Sequence, residues 1–111
     1  MATSFNYVQG DTGPQIRLTL TDDDTSTATD LTGASATLHF RAAGDTSVLF
    51  SRALIINAGT ANQGLAVLQW NAGDLNQVAG VYEGEVEIVK SSGLRETLYE
   101  TLRFRIREDF A

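Results

Sequence analysis

No cysteine occurs in the 111 residues, which excludes a disulfide framework, a zinc ribbon and thiol catalysis. Histidine occurs once. His39 falls on the polar side of an alternating segment, and one imidazole with neither a thiol nor an evident acidic partner makes no metal site and no catalytic triad. No Gly-x-Ser-x-Gly elbow and no Gly-x-x-x-x-Gly-Lys phosphate loop is present, so no catalytic residue and no cofactor is expected. Positive charge is scarce: eight Lys and Arg stand against fourteen Asp and Glu, for a net charge of −6. That balance opposes attachment to phosphate backbones and anionic membranes, so the expected partners include neither nucleic acid nor membrane. No apolar run approaches the roughly 18 residues of a membrane span. The first residues lack the basic and apolar regions of an export signal, and the expectation is a protein made and used without Sec export.

What the sequence does have is alternation. Apolar residues recur at every second position, the period of a strand with one buried face. Ile16, Leu18 and Leu20 alternate with Arg17, Thr19 and Thr21; Ala34, Ala36, Leu38 and Phe40 do the same in the next segment. Tyr82 to Ile88 and Leu102 to Arg107 repeat the pattern. Three further strands are expected at about 4–9, 47–56 and 64–70. Turn formers separate them, among them Gly10-Asp11-Thr12-Gly13-Pro14, Ala43-Gly44-Asp45 and Ser91-Ser92-Gly93. Only Asn71 to Val78 reads as a helical turn, too short to cross over between parallel strands, so the sheets are expected to be antiparallel.

The segment Asp74-Leu75 followed by Gly80-Val81-Tyr82 has the form of a tyrosine corner, in which a phenol at the start of a strand bonds backbone upstream and pins the crossing between two sheets. About seven strands with this corner before the sixth predict one all-β domain over residues 1–111, a single antiparallel Ig-like sandwich with short N- and C-terminal arms. Trp70 and Tyr82 are its structural anchors, in a core with Ile16, Leu18, Leu20, Leu38, Phe40, Leu68, Val86, Ile88, Phe104 and Ile106.

Three clusters bear on function. Asp22, Asp23, Asp24 and Asp30 lie in one polar run, but adjacent carboxylates without the alternation, glycine and glutamate of a calcium loop read as a solvated hairpin. Glu83, Glu85 and Glu87 line one face of the sixth strand, and Arg103, Arg105 and Arg107 one face of the seventh. If the two form the hairpin closed at Ser91-Ser92-Gly93, the rows fall side by side as a charge ladder facing solvent or a protein neighbour. Phe5, Tyr7 and Phe110 sit in the terminal arms, which usually fray in a lone domain, so these aromatics are expected to dock on other subunits, with the arginine row as a further contact.

From Gly10 to about Arg107 the order of motifs is Gly10-Asp11-Thr12, the strand Ile16 to Leu20, Asp30-Leu31-Thr32-Gly33-Ala34 opening a strand, a strand led by Gly64, Gly80-x-Tyr82, and a closing strand ending Phe104-x-Ile106. This resembles the N-terminal domain of the baseplate upper protein family of tailed bacteriophages, an Ig-like sandwich that fixes host-recognition fibres to the tail tip. Members of that family continue into a linker and a trimerising fibre, to which nothing in these residues corresponds. The resemblance therefore implies a virion structural module, assembled in the host cytoplasm with other phage structural proteins in a symmetric particle and catalysing no reaction. The alternative class is a bacterial Ig-like adhesion or carbohydrate-binding module, which would act outside the cell.

Overall fold

In the computed structural model, residues 4–13, 15–21, 27–97 and 101–110 are described. Among them the alternation resolves into eight strands: β1 (Ser4–Val8), β2 (Ile16–Thr19), β3 (Ser35–Ala42), β4 (Phe50–Ala53), β5 (Leu65–Leu68), β6 (Gly80–Val89), β7 (Arg95–Thr97) and β8 (Leu102–Arg107). One large sheet has the order β1-β8-β6-β3-β4, with β7 also paired to β6; a smaller sheet pairs β2 with β5. The fold is an Ig-like β-sandwich, and every core residue expected from the alternation is buried between the sheets.

Several expectations change in detail. The last arm of the sandwich is two strands rather than one, because β7 and β8 pair successive parts of the same side of β6. Pairing is antiparallel except at β1, which runs parallel to β8 with Ser4 opposite Arg103 and Val8 opposite Arg107. The segment expected as a strand over 47–56 pairs with β3 only from Phe50 to Ala53. It then changes layer: Leu54 N–H donates to Ala36 in the large sheet, while Ile55 exchanges both backbone bonds with Val67 in the small one. The helical turn falls not at 71–78, which forms successive tight turns, but at Ala61–Gln63, a single 3₁₀ turn.

Two glycines let the layers approach. Gly64 ends the 3₁₀ turn at φ 73°, and a Cβ there would stand 2.5 Å from the Leu20 carbonyl oxygen and 3.1 Å from that of Thr29. Its own carbonyl accepts from Leu20 N–H, so the position requires both the left-handed backbone and the missing side chain. Gly84 lies on the core face of β6, where a Cβ would come within 2.7 Å of Leu38 and 2.9 Å of Phe104. The bare backbone makes room for the Leu38 side chain and the Phe104 ring.

The tyrosine corner forms as the sequence indicates. Tyr82 is buried, its hydroxyl donates to the Val78 carbonyl, and burial raises the phenol above its ordinary pKa. The same loop is held by Gln77 Nε2, which donates to the Asp74 carbonyl, and by Gln9 Nε2, which donates to that of Gln77. Removing only the hydroxyl, Tyr82→Phe, is expected to cost about 1 kcal/mol in chemical denaturation, the net worth of one buried hydrogen bond; an unchanged midpoint would show that the corner does not hold the loop.

Candidate interaction surface

The outer face of the large sheet collects the charged side chains, because their strands alternate in register across it. One row reads Ser4, Arg103, Glu83, Arg41 from β1 to β3. The next toward the β6 C-terminus places Glu85 beside His39 and His39 beside Ser51.

The expected ladder between the glutamate and arginine rows does not form as a whole. The turn at Ser91-Ser92-Gly93 sets Glu87 opposite Thr97, and by the time the partner strand reaches Arg103, β6 has run back to Glu83. Arg105 then stands opposite Val81. The acids find other cations: Glu83 is 3.5 Å from Arg41, and Glu87 is 3.2 Å from Arg95. Glu83 also accepts from Gly44 N–H at 3.1 Å. Exposed pairs of this kind contribute at most about 1 kcal/mol each, so they set register more than stability.

His39 is not as isolated as its place in the sequence suggests. Its Nδ1 shares a 2.7 Å hydrogen bond with Ser51 Oγ, and its Nε2 is 3.9 Å from Glu87. Neither neighbour is legible in the sequence, since one arrives from β4 and the other from β6. The 3.9 Å separation is too long for a hydrogen bond, so the three groups do not form a proton relay.

Arg103, Arg105 and Arg107 are all exposed, in register with Ser4, Asn6 and Val8 of β1. The Arg107 guanidinium lies 4.8 Å over the Phe110 ring and donates to the Glu108 carbonyl at 2.9 Å. Phe110 itself is 92% exposed, as expected of a side chain beyond the last strand.

The N-terminal aromatics depart from expectation. Tyr7 is a core residue, 6% exposed, edge-on to Trp70 with centroids 5.4 Å apart. Burial pushes its phenol pKa up, while the adjacent Trp70 indole acts in the opposite direction. Phe5 is half-buried and stacks on Phe104 at 5.6 Å. The segment does not fray because it is a strand of the large sheet, with β8 as its partner. Tyr7 therefore packs in the core rather than standing free in a frayed arm, and Ser4–Val8 belongs to the fold. Trp70 lies just past the end of β5 and is buried as expected.

Sequence reasoning also missed a partly buried ion pair. Arg52 donates from Nε at 3.0 Å and from Nη2 at 2.5 Å to the two carboxylate oxygens of Asp74, which also accepts from Asn71 N–H at 2.8 Å. This clamps the 71–75 turn to β4 at the far edge of the sheet. Asp74 is visible in the sequence only as a turn residue. Asp30 forms a local turn: two hydrogen bonds from Thr32 hold its carboxyl below the ordinary aspartate pKa. Asp22, Asp23 and Asp24 lie outside the described residues. Among the described residues, no three His, Cys, Asp or Glu side chains gather as a metal site.

No family model matches the chain, and no curated protein matches it. Among solved structures it is similar to the crystal structure of CopC from Methylosinus trichosporium OB3b, with a TM-score of 0.54 over 100% of this chain and 89% of that one. Identity is 10%, so the likeness extends to the fold alone.

Tyr7→Ala is expected to destabilise the protein by about 3 kcal/mol, in the range of large-to-small changes of a buried ring. Phe110→Ala should change stability by less than about 0.5 kcal/mol, as exposed positions usually do. Denaturant unfolding of the two variants distinguishes a core β1 from a frayed arm, since equal midpoints would return Tyr7 to the surface.

Proposed function

We propose that the protein is a non-enzymatic structural module of a tailed-bacteriophage virion, an Ig-like unit that assembles with other virion proteins on the tail, baseplate, neck or capsid. The observation that carries the reading is the exposed arginine strip of β8 beside the outer edge of β1, on a chain of net charge −6. Concentrating cations on one strand of an acidic protein creates a local surface suited to an acidic partner, and charge complementarity of this kind selects partners and speeds their encounter. The histidine is engaged by Ser51, and the β6 acids Glu83 and Glu87 by neighbouring cations, which favours a binding surface over a reaction site.

The phage assignment draws on the resemblance in sequence. Its Asp30-Leu31-Thr32-Gly33-Ala34 segment coincides with a closed turn that buries Leu31 completely, and its Gly80-x-Tyr82 segment with the tyrosine corner. On this reading the chain is placed in the virion during assembly in the host cytoplasm, in a fixed copy number per particle and without nucleic acid or membrane as partner.

Mass spectrometry of gradient-purified particles tests the proposal. The chain is expected in intact particles at a constant ratio to the major structural proteins. Its absence from particles, or its presence on the surface of uninfected cells, would favour the adhesion or carbohydrate-binding class instead.

A further inference from the structure

The two ends of the large sheet are treated differently. At β4, the Arg52–Asp74 pair holds a turn against the strand, and the chain passes directly into the small sheet. At the other end, β1 pairs with β8 on one side, and no described strand pairs with its outer side. Gln9 N–H donates to the Arg107 carbonyl, continuing the parallel ladder. Alternate residues of a parallel strand bond the same neighbour, so Phe5, Tyr7 and Gln9 face β8 with their backbone groups and Asn6 faces outward. Sheet edges are commonly blunted by charge or proline, and Ser4–Val8 contains neither.

The side chains around this edge differ by face. On the outer face, a groove of about 320 Å³ is lined by Asn6, Tyr7, Val8, Arg105 and Arg107. Toward the interior, a second hollow of about 280 Å³ is lined by Phe5, Asn6 and Tyr7 on one side and by Gln15, Ile16 and Arg17 on the other. A strand laid along β1 would therefore present alternate side chains to Arg105 and Arg107 on one face and, on the other, to Phe5, Tyr7 and Ile16 with Gln15 and Arg17 beside them. Neighbouring strands lie about 4.8 Å apart, so the added strand would be about 10 Å from β8, within the combined reach of an arginine and a glutamate.

Resting on the virion reading, we propose that the outer edge of β1 accepts an extended segment of a partner protein, one that alternates acidic with apolar residues and extends the large sheet. Main-chain bonds to Asn6 supply attachment; Arg105 and Arg107 select the acidic face. An all-polar anion such as nucleic acid would meet the arginines but offer nothing to the Phe5, Tyr7 and Ile16 side chains of the inner hollow.

The test is titration of the ¹⁵N-labelled full chain with a blocked peptide alternating valine and glutamate, against the same peptide with lysine for glutamate. Amide shifts should centre on Ser4 to Val8, and the acidic peptide should bind at least about tenfold more tightly, a difference that added salt reduces. Asn6→Pro removes the outward N–H and leaves the β8 ladder in place, while Arg105→Glu reverses an exposed charge. Each should weaken binding about tenfold or more with the thermal midpoint preserved. If Asn6→Pro lowers the midpoint, Arg105→Glu alone decides.

No binding, equal affinity for the two peptides, shifts away from β1, or affinity unaltered by Arg105→Glu would overturn the proposal. So would competition by an oligonucleotide at the same residues, or self-association through β1 in place of peptide binding. Because particle incorporation and peptide binding are separate readouts, a chain that binds the peptide yet is absent from particles contradicts only the virion assignment.

Discussion

The Phe40 ring is the point on which the sandwich closes. It stacks on Phe50 and Tyr82 with centroids 4.7 and 5.2 Å away, and it meets Trp70 edge-on at 5.8 Å and Phe104 at 5.3 Å. Those residues come from β4, β6, the segment after β5, and β8, so one side chain ties the two layers and four segments together. The arrangement depends on Gly84, which offers no Cβ where Leu38 and Phe104 converge. Aromatic pairs of this geometry add roughly 0.5–1.5 kcal/mol each beyond the area they bury. With no cysteine to form a disulfide, such packing supplies much of the stability of a domain this small.

The same cluster explains why the N-terminal segment is part of the fold. Tyr7 extends the ring packing to Trp70, and Phe5 extends it to Phe104, so β1 closes one side of the core. The strand thereby acquires two unlike faces and an outer edge. Apolar rings anchor it inward, the β8 arginines flank it outward, and the backbone groups of Asn6 face away from β8, whereas the Val8 carbonyl is taken by Asp11 N–H. Fold and proposed interface are thus consequences of one strand placement.

Legibility followed the range of the interactions. Period-two alternation identified the complete expected core from Ile16 to Ile106, because a half-buried strand writes its burial into consecutive residues. The tyrosine corner was equally local: phenol and acceptor lie four residues apart. Features set by long-range register were not legible. Whether Glu85 faces an arginine or His39 depends on where two separate strands begin to pair, and the Arg52–Asp74 contact joins a strand to a turn 22 residues away. The burial of Tyr7 is illegible for the same reason, since it comes from a parallel pairing with the far end of the chain. The exposed arginines and Phe110 are recognisable as candidates, and a sandwich is expected to offer an edge to a partner strand; which strand forms that edge depends on the parallel pairing of β1 with β8.

The account rests on β1 being a structural strand with a free outer edge, and native-state amide hydrogen exchange reads both properties at once. Protection should alternate along the segment, with the Phe5 and Tyr7 amides exchanging only through large-scale opening and the Asn6 amide between them exchanging rapidly. Rapid exchange at all three would mean that β1 is a frayed arm, and slow exchange at Asn6 would mean that its outer edge is already occupied; either result contradicts the account.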